Sequence, residues 1–208
     1  MKTSRRAARI ALAAVVVILA LPLLALAQVP QDAYRHRAEL VRNARMIWGM
    51  DAPTATFAAQ IHQESRWHDT AVSPVGARGV AQFMPATAQW IGGAYSTLGP
   101  GDPTNPAWAI RALVTYDLHL FKRVDAVTPC ERFWKVLWAY NGGETWVHRD
   151  EKRAAQAGRD PRRVTEVEPF NAGRSAAAFA ENRGYPRVIL TKFEPRYVAA
   201  GFGVGVCS

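Results

Sequence analysis

Residues 57–89 read FAAQIHQESRWHDTAVSPVGARGVAQFMPATAQ, and the first eight decide how the rest is taken. Read as a helix, Phe57 and Ile61 mark an apolar stripe at i and i+4, and Glu64 falls at i+7 on the same stripe. A carboxylate on a face that a helix buries is costly if ionised and unpaired. Desolvation raises its pKa and keeps its proton near neutral pH, which is the state a general acid needs. The plainer alternative is a helix-end Glu turned to solvent. After Glu64 the chain becomes loop-like, punctuated by Ser73-Pro74, Gly76 and Gly79. Residues 80–83 are short enough for a strand or an extended turn, and Pro85 opens a helix expected to stop at Gly92-Gly93.

Outward from this stretch the pattern is helical. A helix over 31–49 ends at Gly49. Asn105-Pro106 supplies a cap and a first helical position for a helix with Ala109, Leu113, Tyr116, Leu120 and Val124 on one face. Residues 131–140 align Phe133, Leu137 and Tyr140, and Asn141-Gly142-Gly143 breaks that helix. The charged segment 144–171 reads as a partly helical surface excursion. A further helix covers 175–181, Gly184 punctuates, and Pro186 is expected to begin a last helix through Phe193. The fold class is mainly α with at most a small β element.

The chain has 208 residues, 49% of them apolar, with seven Trp and eight Phe, which suits one packed domain. A basic start (Lys2, Arg5, Arg6 and Arg9) precedes the apolar run 10–27, which closes on Ala25-Leu26-Ala27. This is the pattern of a secretory signal cleaved at Ala27–Gln28; an uncleaved inner-membrane anchor through 10–27 is the alternative. Residues 28–208 then form the exported, periplasmic domain, with its core at about 50–195. The four leader cations belong to 26 Lys and Arg in all, so the remainder carries 22 basic against 17 acidic residues. That modest bias suits an anionic polymer, and without a basic run interleaved with aromatics it offers no nucleic-acid footprint. Cys130 and Cys207, an even pair in an exported chain, read as one disulfide closing a loop of about 77 residues. Two free thiols are the alternative.

Motifs for other chemistries fail. His62-Gln63-Glu64 with Pro129-Cys130 imitates half of a zinc deaminase, but Phe133 stands where the last cysteine ligand is needed. His62 and His68 lack metalloprotease spacing, so neither a metal nor a cofactor is expected. A glycosidase normally places two carboxylates about the scissile bond. Here only Asp69 follows Glu64 closely.

Glu64-Ser65, Ser73-Pro74-Val75-Gly76-Ala77, the run from Gly79 through Gln82, Met84 and Pro85 to Thr87, Ala139-Tyr140-Asn141-Gly142-Gly143, and Glu181-Asn182-Arg183-Gly184-Tyr185 occur in that order. The ordered set resembles the soluble-type lytic transglycosylases of lysozyme-like fold, over about 57–193. The resemblance implies cleavage of the β-1,4 bond between N-acetylmuramic acid and N-acetylglucosamine in peptidoglycan, leaving a 1,6-anhydromuramic end. It implies Glu64 as the single acid/base, with the substrate's N-acetyl oxygen replacing a second carboxylate. Ser73, Gln82, Met84, Tyr140 and Asn141 would line the glycan groove; Ser65, Glu181 and Tyr185 would support it. Each also has a structural reading: Ser73 as a turn residue, Met84 and Tyr140 as core, Asn141 as a helix cap. The chain departs from the family in Gly-Val-Ala-Gln, in Gly142, and in Pro186 after Tyr185. The resemblance implies peptidoglycan strands as the partner and leaves protein partners open.

Overall fold

The structure is a computed structural model and describes residues 29–207. The leader reading of residues 1–27 therefore lies outside the described residues. In chain order the helices are α1 (Gln31–Trp48), α2 (Thr54–Ser65), α3 (Pro85–Ala94), α4 (Pro106–Phe121), α5 (Pro129–Gly142), α6 (Glu144–Gln156), α7 (Val164–Val167), α8 (Ala176–Arg187) and α9 (Glu194–Ala199). A 3-10 turn (Ser96–Leu98) follows α3, and a π-helical segment (Val188–Phe193) joins α8 to α9. Among the described residues strand is reduced to two isolated antiparallel bridges, Val72 with Arg78 and Arg78 with Phe83.

Local chemistry explains most boundaries. Asn105 Oδ1 accepts from the Ala107 and Trp108 amides at 3.0 and 3.3 Å, and Pro106 takes a first-turn position that needs no donor. Thr128 Oγ1 accepts from the Glu131 amide at 3.1 Å, and Thr128-x-x-Glu131 is a capping box in sequence. Ser175 caps α8 through the Ala178 amide at 3.2 Å. Gly143, at φ 95°, ends α5 and lets α6 start at once.

Helix α2 is the central element. Every residue of it from Thr54 to Ile61 is buried, so its packing is not confined to one stripe. It lies against α1, the π segment and α9. Trp48, Phe57, Phe121 and Phe133 form an aromatic knot linking α1, α2, α4 and α5, with ring centroids 5.2 to 6.4 Å apart.

No side chain caps the start of α2. The last described residues of the chain do that work. Val204 O accepts from the Ala55 amide at 3.0 Å, and Thr54 Oγ1 donates to Phe202 O at 2.5 Å. The buried Glu194 carboxylate accepts from Thr56 Oγ1 and from the Val206 and Cys207 amides at 3.2 and 3.1 Å. Cys207 is joined to Cys130, in the first turn of α5, by a disulfide with Cα atoms 4.8 Å apart.

Three expectations are corrected. Pro186 does not begin a helix; it lies inside α8, which runs through Gly184 and passes into the π segment. Proline removes one intrahelical donor, and the chain stays helical because buried Tyr185, Ile189 and Leu190 hold this stretch against the core. Likewise Gly92-Gly93 does not stop α3, which continues to Ala94 because Gly92 packs against the backbone of 99–101, where a Cβ would meet Gly99 O at 2.6 Å. The charged segment 144–171 also reaches inward further than a surface excursion: Val147, Asp150, Ala154, Val164 and Val167 are buried.

Candidate active site

Glu64 stands one residue before the end of α2. Arg66 and Trp67 then take left-handed backbone conformations, at φ 54° and 69°, which turn the chain off the helix axis. Two contacts fix this turn. The buried Trp67 Nε1 donates to Tyr197 Oη at 2.5 Å, and Ser65 Oγ donates to Val80 O at 2.7 Å. Ser65 thus ties the end of the acid-bearing helix to the loop of residues 71–83.

That loop is the groove wall. Ser73 Oγ accepts from the Ala77 amide at 3.0 Å, which leaves its hydroxyl hydrogen as a donor. Gln82, at φ 48°, folds its amide back to donate to Ala71 O at 3.1 Å and Gly79 O at 2.8 Å. Tyr140 Oη donates to Ala81 O at 2.8 Å from α5. Gly79, at φ 74°, lies so close to the next segment that a Cβ there would meet Pro103 O at 1.7 Å. Met84 caps the start of α3 with its side chain exposed.

The opposite wall comes from α5 and α8. Asn182 Nδ2 donates to Trp138 O at 2.8 Å and to Asn141 Oδ1 at 3.1 Å, which aims the Asn141 amide. Behind it Asp150 is fully buried and paired with Arg183 at 2.7 Å and with Arg174. Arg183 also lies 4.0 Å over the Trp138 ring. Such a cluster leaves a costly stranded charge if one partner is lost. Nothing in the order of motifs marks Asp150 or Arg174. Their only signal is the pair of charges Asp150 and Arg183 on helices that α5 brings together.

These elements enclose a groove of about 520 Å³ lined by Glu64, Ser73, Gln82, Met84, Tyr140, Asn141, Glu181 and Tyr185, so seven groups expected from sequence face one cavity with Glu64. Ser65 is buried at its edge and acts on the loop. Glu181 is exposed at the rim. Tyr185 is buried and donates its hydroxyl hydrogen to Glu64 Oε1. Burial pushes the Glu64 carboxyl up to about 8; the Tyr185 hydrogen bond opposes that rise and the nearby Glu181 adds to it. The group holds its proton at neutral pH and faces the groove, as a general acid must. Burial also raises the Tyr140 and Tyr185 hydroxyls well above the usual phenol range, so both remain donors.

One carboxyl beneath the groove was missed. Asp117 on α4 is fully buried, and Gln60, one turn before Glu64 on α2, donates to its Oδ1 at 3.4 Å. Burial raises Asp117 well above the ordinary range, with the Gln60 bond opposing and Glu64 adding. Gln60 Oε1 and Asp117 Oδ2 have no protein partner. A proton on Asp117 would supply the one donor both atoms lack. In sequence Asp117 stands i+4 from Leu113 and i−3 from Leu120, at the edge of the apolar face of α4, and the motif order does not mark it. His62 lies away from the groove, stacked on Phe193 and bonded to Tyr197 Oη at 2.9 Å; burial and nearby Arg196 lower it to about 4. Among the described residues no group of His, Cys, Asp and Glu could hold a metal ion.

A helical fold with one proton-holding carboxyl at the floor of a polar groove defines a class, and comparison with known proteins places the chain in it. The family model for the transglycosylase SLT domain matches residues 42–162, a span holding Glu64, the groove loop and α5 but not α8. The chain belongs to this family. It is similar to the membrane-bound lytic murein transglycosylase F of Maricaulis maris, with 36% identity over 50% of this chain and 22% of that protein. The protein of the same name from Thiobacillus denitrificans is 30% identical over 76% of this chain and 36% of its own length. Among solved structures the 70 kDa soluble lytic transglycosylase of Escherichia coli matches in fold, with TM-score 0.52 and 24% identity over 80% of this chain and 25% of that one. Its complex with bulgecin A matches with TM-score 0.55 and 23% identity over 82% and 25%. The chain thus spans between about a fifth and a third of the length of these proteins.

Proposed function

We propose that the chain is an exported peptidoglycan lytic transglycosylase that cleaves the β-1,4 bond between N-acetylmuramic acid and N-acetylglucosamine and leaves a 1,6-anhydromuramic end. The observation that carries this reading is Glu64: a carboxyl raised to about 8, open to the groove, and held by Tyr185. Family membership supports the substrate class.

In this mechanism Glu64 gives its proton to the glycosidic oxygen as the bond from C1 breaks. The substrate's N-acetyl oxygen bonds to C1 and holds the positive charge. The Glu64 carboxylate then takes the proton of the muramic C6 hydroxyl while that oxygen attacks C1 and displaces the N-acetyl oxygen. Glu64 ends the cycle protonated and no water is consumed. Ser73, Gln82, Met84, Tyr140 and Asn141 line the strand, Ser73 offering its hydroxyl hydrogen and Asn141 its amide. Tyr185 stabilises the carboxylate between the two steps.

Export is supported by the Ala25-Leu26-Ala27 leader pattern and by the Cys130–Cys207 disulfide, since such bonds persist in oxidising compartments. Among the described residues no helix is long and apolar enough to cross a membrane. Whether residues 10–27 are removed or retained as an anchor is read by N-terminal sequencing of the mature protein.

Purified full-length protein is incubated with sacculi and the released muropeptides are weighed by mass spectrometry. Anhydro ends are expected. Reducing ends instead would make the chain a hydrolase using water, with Glu181 as the second carboxyl lining the groove. No release at all would make it a wall-binding protein that kept the groove.

A further inference from the structure

On the side of α2 turned away from the groove, three cations gather round one aromatic ring. His62 precedes Glu64 by two residues, about 200° of helical turn, and so faces the other way. Its ring stacks on Phe193 with centroids 4.1 Å apart. Lys192 Nζ and the Arg196 guanidinium lie 5.4 and 5.6 Å from the centroid of the same Phe193 ring. Arg66, Val29 and Pro30 complete an open pocket of about 450 Å³. Its cations come from three parts of the chain: the turn after α2, the π segment and α9. No Asp or Glu lines the pocket, and among the described residues no ion pair engages Arg66, Lys192 or Arg196. Like charges brought together without a carboxylate repel one another, and an anion among them relieves that repulsion.

The packing behind His62 makes its ring a donor. Trp67 Nε1 donates to Tyr197 Oη at 2.5 Å, and the hydrogen of that buried hydroxyl finds its acceptor in His62 Nδ1 at 2.9 Å. With Nδ1 accepting, the neutral ring carries its hydrogen on Nε2. Burial, then Arg196, Arg66 and Lys192, push His62 down to about 4, so the ring is neutral at pH 7. Two guanidinium groups, one ammonium and one ring N–H offer more donors than the two oxygens of a carboxylate engage. They suit the tetrahedral oxygens of a phosphate, which takes a forked guanidinium and a point-like ammonium together.

We infer that this pocket is an anion site that takes a phosphate group, free or on a lipid headgroup, between Arg66, Lys192, Arg196 and His62. The site does not rest on the glycan-cleaving reading, and each stands or falls without the other. Its place in the chain bears on the source of the phosphate. Val29 and Pro30 follow Ala27, the end of the apolar run, by two and three residues. A leader kept in a bilayer would therefore bring headgroup phosphates within about 10 Å of the pocket. A cleaved leader leaves the pocket to soluble phosphate.

The test follows the His62 ring resonances of the purified protein by NMR at pH 7 as inorganic phosphate is added. Phosphate should move them along a saturating curve, and chloride at matched ionic strength should not. His62 should also take up its proton at higher pH with phosphate bound, because the anion offsets the three cations that hold it down. Arg66→Gln combined with Lys192→Gln should weaken the response roughly tenfold or more. Both side chains are exposed, so the melting curve of this double variant should match wild type. Equal responses to phosphate and chloride, or equal responses of wild type and double variant, would overturn the site. A second arm sediments the protein with phosphatidylcholine vesicles, with and without phosphatidylglycerol. Extra retention on the anionic vesicles that the double variant loses supports the site with a lipid headgroup as its ligand. A response to inorganic phosphate without that difference supports it with a soluble phosphate. No response in either arm overturns it.

Discussion

Glu64 and Tyr185 set the pH behaviour of the site between them. Glu64 must start the cycle protonated, and its pKa is raised from 4.5 to about 8, so the rate should hold level through neutral pH and fall as pH rises through about 8. Tyr185 stabilises the ionised carboxyl. Tyr185→Phe should therefore move this alkaline limb to higher pH and slow the second step, seen as a lower kcat in initial-rate pH profiles. Glu64→Gln should abolish release from sacculi, and it should also change stability. Between about pH 4.5 and 8 the folded protein keeps a proton that the unfolded chain has given up, so wild-type stability falls across that window and is flat above it. The Gln variant lacks this loss. Urea melts should show it more stable than wild type by an amount that grows to a few kcal/mol by pH 8.

At the scale of elements, the seam between α2 and α4 carries the unusual polar pair Gln60 and Asp117. Replacing Asp117 alone with Leu strands the Gln60 amide and should cost about 1–3 kcal/mol. Replacing both, Gln60→Leu with Asp117→Leu, removes both orphaned groups and should return much of that loss. Urea denaturation of the single and double variants measures the coupling, and additive effects would show that the two side chains act separately. The same seam shows where sequence reading stops. The Asn105-Pro106 start and the Gly143 stop follow from local rules, and the structure shows both; the Phe57–Ile61 stripe pointed to Glu64, although α2 is buried on every side up to Ile61. Asp117 stands at the edge of the α4 stripe, but its role could not be read, because its partner Gln60 is 57 residues distant. Pro186 misled for a related reason: local chemistry says helix start, and tertiary packing keeps it inside α8. The groove was legible as an ordered set of motifs, whereas the Asp150 cluster that braces its α8 wall has no local signature.

For the whole molecule the strongest long-range constraint is the Cys130–Cys207 bond, which spans 77 residues. The chain-entropy relation for a loop of that size gives roughly 4 kcal/mol. Cys207→Ser, or wild type under reductant, should unfold at lower denaturant by an amount approaching that figure. The variant should also lose activity before it unfolds globally, since the freed tail no longer covers the start of α2. Loss of stability without earlier loss of activity would show that the tail fastens the fold but not the acid. Basic residues outnumber acidic ones beyond residue 27 as well, which favours approach to an anionic polymer at low salt.

The tail has a further consequence, and it concerns order in time. Thr54 and Thr56 find partners 148 and 150 residues later in the chain. Helix α2 precedes these partners by most of the described chain, and its first turn is finished only when residues 202–206 have docked on it. Pairings so distant in sequence close late, after the loops between them have been brought together. A chain in which residues 202–206 have not yet docked lacks the contacts that complete the helix bearing Glu64. On the reading proposed above, an enzyme that cuts the cell wall thereby acquires its acid only at the close of folding.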